Sequence, residues 1–207
     1  MNLFVLDKNS KKSVRYHCDK HVVKLILEAV QMLYCAYHVL EADDDAWKAS
    51  SPTPLKLTHK NHPINKWVRT NASSYDFTVD YAANLLDEYT LRYGKIHSYK
   101  EHVDWLSKNK PSKLDKSNQL TLMPVAMPEE YRVQPMNDWD DVVKSYRTYY
   151  IKEKLRFCSY KGVEWPDWLP DKSTFIAPVS SPKKSKTKSN SSSTTTTSRK
   201  AKLNATK

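Results

Sequence analysis

The sequence predicts a mostly α, single compact helical domain with a long irregular loop and a disordered basic C-terminal tail. Of its 207 residues, 39% are hydrophobic, including six tryptophans and thirteen tyrosines, which is enough for one core. The stretch from Cys18 to Leu40 has a strong helical period. Beyond about Pro182 almost nothing is apolar, so burial cannot offset the entropy of ordering. We place the domain at residues 1–170 and the tail at residues 171–207.

The net charge of +11 is concentrated in the tail. Residues 183–207 carry eight basic and no acidic residues, which leaves a net charge of +3 for residues 1–182. Such a tail can bind nucleic acid or another polyanion without preference for its sequence, with an affinity that falls as the salt concentration rises. A non-catalytic nucleic-acid-binding protein that uses its basic tail is therefore one function class that stays open.

Three cysteines, an odd number, argue against a disulfide framework and fit a reducing compartment. The N-terminus has too short an apolar run for a signal peptide, and no stretch approaches the apolar length of a membrane span. We expect a soluble intracellular monomer with no membrane partner.

The first elements are short. Leu3 to Leu6 is an apolar run that forms either a strand or an extended segment against the core. Asn9 or Ser10 can cap a first helical turn, and Asp19 can cap the long helix that follows.

The long helix has an apolar face and a polar stripe. The apolar face gathers Val22, Val23, Ile26, Leu27, Val30, Leu33, Tyr34 and Tyr37. The polar stripe is His21, Lys24, Glu28, Gln31 and Cys35, which follow one another at three- and four-residue steps within an arc of roughly 80°. Most such stripes are solvated faces of amphipathic helices. The alternative is that the stripe lines a pocket, because it places a base, an amine and a carboxylate on one side of the helix.

Proline and capping residues delimit the next elements. Pro52 and Pro54 favour a connection without a helix. Asn61 or His62 can cap a helix whose first position is Pro63.

The second half of the domain has weaker signals. Ser73 and Ser74 mark a break before a further helix, which Gly94 stops. Ser98 and Glu101 form a capping box for a short helix.

Four prolines divide the long irregular stretch from Asn109 to Met136, which we interpret as functional, as a flap or as packed coil. A last helix starts near Asn137 or Asp138. Its basic residues could contact phosphates or form an ordinary solvated face; they are Lys144, Arg147, Lys154 and Arg156.

The segment THKNHPINKWVR offers a second polar group, made of His59, Lys60, Asn61, His62, Trp67 and Arg69. Hydrogen-bond donors, a stacking ring and a guanidinium suit a phosphate and a base. In the competing interpretation, Asn61 and His62 cap the helix, Trp67 is core and Arg69 is exposed.

A metal-dependent enzyme is a third possibility. Cys18 and His21 are three residues apart, as are His59 and His62, which is numerically acceptable for zinc. The spacing is weak support, and we expect no metal. Because the chain has two glycines and lacks a glycine-rich phosphate loop or a nucleophile elbow, covalent chemistry would depend on an amine near Glu28.

Three segments together resemble a known family. DKHVVKLILEAVQML, NHPINKWVR and LLDEYTLRYGK are similar in order to motifs of the pyrimidine-dimer DNA glycosylase superfamily, the endonuclease V type. The matching positions are Asp19, His21, Lys24, Glu28, Asn61, His62, Pro63, Trp67, Arg69, Glu88 and Tyr89. The resemblance covers about residues 1–95.

The resemblance implies a compact helical fold and a bifunctional reaction on damaged DNA without a cofactor. In the family, the α-amino group of the mature N-terminus attacks C1′ of the damaged nucleotide, and the resulting Schiff base permits strand cleavage by β-elimination. Glu28 is then the catalytic carboxylate and His21 a polar residue on the substrate side. The nucleophile is the amine of Met1, that of Asn2 if the methionine is removed, or the side chain of Lys24.

Overall fold

The computed structural model describes residues 1–171 and 173, which belong to one compact unit. Seven α-helices are present in this part of the chain, which contains no strand. They are α1 (Ser10–Arg15), α2 (Asp19–Leu40), α3 (Trp47–Ser50), α4 (Pro63–Val68), α5 (Ala72–Tyr93), α6 (Lys100–Lys108) and α7 (Trp139–Tyr149). The predicted mostly α class is confirmed. The predicted disordered tail lies outside the described residues, apart from residues 171 and 173.

Helix α2 is the centre of the fold. It packs most extensively on α5 and also contacts α4 and α6. Within the polar stripe, His21, Glu28 and Cys35 are buried and only Lys24 is exposed, while Val23 from the predicted apolar face is 41% exposed. The stripe is therefore not a solvated face, because other elements cover it.

By length and composition alone, α2 is long and apolar enough to cross a membrane. Its most apolar window has a mean hydropathy of 1.3, and 67% of that window is buried inside the protein. The prediction that no stretch approaches such an apolar length was therefore wrong for α2. The core helix of a soluble protein passes the same test, so the expectation of no membrane partner stays a prediction.

Several predicted helix ends are confirmed. The Asn9 side chain caps α1, His62 caps α4 ahead of Pro63, and the Asp138 carboxylate accepts from two backbone N–H groups at the start of α7. Gly94 ends α5 with a φ of 62°, a conformation that costs glycine little. The segment from Leu3 to Leu6 is buried and belongs to no helix or strand.

Other predicted ends are shifted. The break before α5 lies at Arg69 to Asn71 rather than at Ser73 and Ser74, because the Asn71 side chain accepts from the Ser74 N–H at 2.9 Å. Helix α6 begins after Tyr99 with no side-chain cap, so the predicted Ser98 capping box was wrong.

Two further differences concern the connection after α2 and the start of α2 itself. A single turn, α3, forms before Pro52, where the Trp47 ring packs at 4.7 Å from that of Tyr37. Asp19 is the first residue of α2 rather than its cap, which is Cys18.

The chain after α7 returns to the start of α2. A π-helical turn (Tyr150–Lys154) and a 3-10 turn (Leu155–Phe157) follow α7 directly. The Tyr150 hydroxyl accepts from the Cys18 N–H at 2.7 Å, and the Asp19 N–H donates to the Ser159 carbonyl at 2.8 Å. These contacts place the π-helical turn beside the first turn of α2.

Arg92, near the end of α5, ties three parts of the chain together. Its fully buried side chain contacts the Glu88 carboxylate at 2.7 Å and that of Asp19 at 3.0 Å. It also donates to the carbonyls of His17 and Arg15, at 2.8 Å and 2.9 Å. This guanidinium therefore bridges two carboxylates where α1, α2 and α5 meet.

Replacing Arg92 tests this assignment. We expect Arg92→Met to lower the free energy of unfolding by about 3–5 kcal/mol, because it leaves the Glu88 and Asp19 carboxylates without their partner. The measurement is urea denaturation at neutral pH, with the exposed Arg156→Met as control. Adding Glu88→Gln to Arg92→Met should recover part of the loss. A loss equal to that of the control would contradict the assignment.

His17 is fully buried beneath the α1–α2 junction. Its Nδ1 lies 3.2 Å from the Val14 carbonyl and its Nε2 lies 3.0 Å from the Tyr81 hydroxyl. Burial, the main cause, and the charge of Arg92 lower the pKa of His17 from 6.5 to about 4. The folded protein therefore keeps a neutral imidazole where the unfolded chain binds a proton.

This difference makes stability depend on pH. Above pH 6.5 the contribution of His17 is fully present, and it is lost as the pH falls from 6.5 through about 4. The loss is roughly 3 kcal/mol, since one pKa unit is about 1.4 kcal/mol. We expect His17→Gln to be less sensitive to acid in this range, as measured by urea denaturation from pH 7 to pH 4. His59→Gln, at an exposed histidine, is the control, and equal pH dependence in both variants would contradict the prediction.

Candidate active site

A pocket of about 500 Å³ opens beside the first half of α2. The N-terminal segment, α2, the start of α4, the long connection and the π-helical turn all contribute to it. It is lined by Met1, Asn2, Phe4, His21, Lys24, Leu25, Glu28, His62, Pro63, Val125, Ala126, Arg132 and Lys154. All five residues predicted to be catalytic from the sequence, namely Met1, Asn2, His21, Lys24 and Glu28, therefore share one pocket.

The Glu28 carboxylate is the polar centre of the pocket. The residue is 8% exposed. Its Oε2 accepts from the Asn2 backbone N–H at 2.7 Å and lies 3.8 Å from the Met1 amine nitrogen. Its Oε1 lies 3.1 Å from Lys24 Nζ, whose side chain is 69% exposed. The buried carboxylate therefore has the chain's first two nitrogens on one side and a solvated lysine on the other.

The N-terminal segment is fixed in place by the side chain of Asn2. Its amide donates to the Ala126 carbonyl at 2.7 Å, and its oxygen accepts from the Tyr146 hydroxyl at 2.7 Å. The Met1 side chain is only 4% exposed, and its sulfur lies 3.4 Å from Asn65 Nδ2. The amine is therefore positioned beside Glu28 before any ligand binds, which lowers the entropic cost of a reaction there.

His21 contributes a neutral imidazole. It is 7% exposed and stacks on Phe4 at 4.7 Å between ring centroids. Burial, aided by nearby positive charge, lowers its pKa to about 3. Its Nδ1 is buried and has no hydrogen-bond partner in the described part of the chain. A buried polar atom without a partner is rare in folded proteins and calls for an explanation, such as a catalytic role or a bound water or ion.

His62 also lines the pocket. Its Nδ1 accepts from the Ile64 N–H at 3.3 Å as the cap of α4. Burial, followed by the charge of the N-terminal amine, lowers its pKa. The pocket therefore carries two imidazoles that are neutral at neutral pH and can donate or accept hydrogen bonds.

The other residues predicted to bind DNA do not line the pocket. His59 and Asn61 are exposed on the loop before α4. Arg69 is half-buried and donates to the Lys60 carbonyl at 2.7 Å. Of this group, the structure brings only His62 to the pocket.

Trp67 is a core residue, which corrects the stacking role assigned to it from the sequence. It is 5% exposed, and its ring meets those of Phe77 and Trp139 at 5.5 Å and 6.3 Å. Its Nε1 donates to the Thr121 hydroxyl at 3.1 Å. The ring is therefore not accessible to a base.

The four residues considered for zinc do not converge on one point. Cys18 is fully buried and its backbone N–H donates to Tyr150, His59 is exposed, and only His21 and His62 line the pocket. Within the described residues there is no cluster of three or more histidine, cysteine, aspartate or glutamate side chains that could hold a metal ion.

Sequence reasoning missed Phe4 and Arg132 as pocket residues, and it named Lys154 only among the basic residues of the last helix, with no link to α2. Arg132 belongs to the long connection, and Lys154 to the turn after α7. Both lie beyond the segment that resembles a family, and no local period relates them to α2. The length of the irregular connection was the one signal that pointed towards a functional role there.

Comparisons of this chain with protein-family models, with curated proteins and with solved structures return no match.

Proposed function

We propose that this chain is a DNA glycosylase with AP-lyase activity that acts on damaged or modified bases in duplex DNA. The observation that carries the proposal is the N-terminal amine, whose nitrogen lies 3.8 Å from the Glu28 carboxylate in the wall of an open pocket. The family resemblance of the segments around Glu28 and His62 supports the same chemistry. A nucleotide flipped out of the duplex would enter this pocket.

In the proposed reaction, the amine lone pair attacks C1′ of the flipped nucleotide. The bond between nitrogen and C1′ forms as the glycosidic bond breaks, and the bonding electron pair leaves with the base, which takes up a proton. Glu28 Oε2 accepts a proton from the attacking nitrogen. Opening of the sugar ring, with a proton transferred to its ring oxygen, gives the Schiff base. Water then takes up a C2′ proton, and the electron pair left behind forms the C2′–C3′ double bond as the C3′–O bond breaks and the 3′ phosphate leaves.

Two positions of the nucleophile fit the same carboxylate. If Met1 is retained, its amine is 3.8 Å from Glu28 Oε2. If Met1 is removed, the Asn2 nitrogen, at 2.7 Å from the same oxygen, becomes the amine. Either way the nitrogen lies beside the group that would accept its proton.

Lys24 is the less suitable nucleophile. Its side chain is 69% exposed, so solvent competes for its position. We therefore assign Lys24 to orienting Glu28 rather than to attack.

The size and lining of the pocket suit a flipped nucleotide. Its volume of about 500 Å³ lies within the range of small-molecule sites, roughly 300–1,000 Å³. Phe4 provides an apolar wall, and His21 and His62 offer neutral donors and acceptors for a base edge. These groups can recognise a base without adding charge.

Borohydride trapping tests the proposal. Duplexes with a pyrimidine dimer, an abasic site or a modified base are incubated with the protein and sodium borohydride, which reduces a Schiff base to a stable adduct. We expect a covalent adduct with at least one of them. Glu28→Gln should slow its formation by about 10²-fold or more, because the proton acceptor is lost.

The matched control is Lys24→Met, which should slow adduct formation much less. Circular dichroism establishes that both variants are folded. If none of the duplexes gives an adduct, the proposed AP-lyase activity is contradicted. If the protein nevertheless binds those duplexes, the alternative of a non-catalytic nucleic-acid-binding protein gains.

A further inference from the structure

Two cationic side chains at the edge of the pocket lack an acidic partner. Arg132 and Lys154 line the pocket, and neither forms an ion pair with a carboxylate among the described residues. Most surface cations are free to move into solvent, whereas these two are held in place.

Neutral groups hold both side chains. Arg132 donates through Nε and Nη2 to the Met127 carbonyl, at 2.9 Å and 2.5 Å. Lys154 Nζ donates to the Tyr149 hydroxyl at 3.1 Å and lies 4.4 Å from the centre of the same ring. The neighbouring carboxylate, Glu153, accepts instead from the Tyr131 hydroxyl at 2.6 Å. The positive charges of Arg132 and Lys154 therefore stay uncompensated.

The pocket as a whole has an excess of positive charge. Lys24, Arg132, Lys154 and the N-terminal amine face a single carboxylate, that of Glu28. A concave site with a net positive charge attracts an anion.

His21 supplies an independent indication of a ligand. It is more than nine-tenths buried, it lines the pocket, and its Nδ1 has no hydrogen-bond partner among the described residues. His21 and Lys154 lie against the same ring, that of Phe4, with the His21 ring centroid at 4.7 Å and Lys154 Nζ at 6.0 Å from its centre. The imidazole and the ammonium therefore belong to the same part of the pocket wall.

We propose that Arg132, Lys154 and His21 form a subsite for a phosphodiester of the DNA backbone beside the flipped nucleotide. This inference rests on the proposed function, because it takes DNA as the ligand of the pocket. Arginine and lysine are the usual partners of backbone phosphates, and such contacts fix the register of the nucleic acid. Arg132 and Lys154 are thus positioning residues, which hold the sugar beside the amine.

The test uses the full chain and a duplex that contains tetrahydrofuran, a stable analogue of an abasic site. This analogue lacks the reactive C1′ function, so binding is measured without chemistry. The variants are Arg132→Met and Lys154→Met. The matched controls are Lys152→Met and Arg156→Met, which remove exposed cations of the same C-terminal segment that do not line the pocket.

We expect each pocket variant to reduce the slope of log K against log salt by about 0.9, the value for one lost phosphate contact. Preference for the tetrahydrofuran duplex over an undamaged duplex should fall by about fivefold or more. The control variants should leave that preference unchanged. Arg132→Lys and Lys154→Arg, which keep the charge, should restore most of it.

Three outcomes would overturn the inference. The first is equal effects of pocket and control variants on the preference for the tetrahydrofuran duplex. The second is failure of the charge-retaining variants to restore binding while they remain folded. The third is displacement of the duplex from the unmodified protein by millimolar inorganic phosphate at fixed ionic strength, which would assign the subsite to a free phosphate ion.

The outcomes for the two proposals are separable. A reduced preference in the pocket variants without any borohydride adduct would support the subsite and reject the lyase. A borohydride adduct with no difference between pocket and control variants would do the reverse.

Discussion

The burial of the Glu28 carboxylate within the central helix is the constraint on which the rest of the site depends. An ionised carboxylate that leaves water without partners is strongly destabilising. Here the first two nitrogens of the chain and the Lys24 ammonium supply those partners. The N-terminal segment must therefore return to the middle of the domain, and in doing so it brings its amine to the wall of a pocket.

The same constraint links parts of the chain that are far apart in sequence. Asn2, which donates its backbone N–H to Glu28, is held by Ala126 of the long connection and Tyr146 of α7. At the first residue of α2, Arg92 pairs with Asp19 where α1 and α5 meet. The helix is thus fixed at two carboxylates, the half-buried one of Asp19 and the buried one of Glu28, and the pocket lies along the turns between them.

The fold class and half of the site could be predicted from the sequence, because a helical period places His21, Lys24 and Glu28 on one stripe wherever the helix lies. Period alone could not decide whether water or protein covers the stripe. Arg132 and Lys154 reach the pocket through long-range packing that no local pattern encodes. For Trp67 the local pattern was misleading. An aromatic residue among polar ones is typical of a binding surface, but the rings of Phe77 and Trp139 pack against Trp67 in the core.

The central claim is that the N-terminal amine, paired with Glu28, is the nucleophile. Proteolysis of a borohydride-reduced adduct, followed by mass spectrometry, locates the modified nitrogen most directly. The account predicts that the sugar remnant is attached to the α-amino group of the N-terminal peptide, on Met1 or, after its removal, on Asn2. Attachment to the side chain of Lys24 or of any other lysine would contradict it.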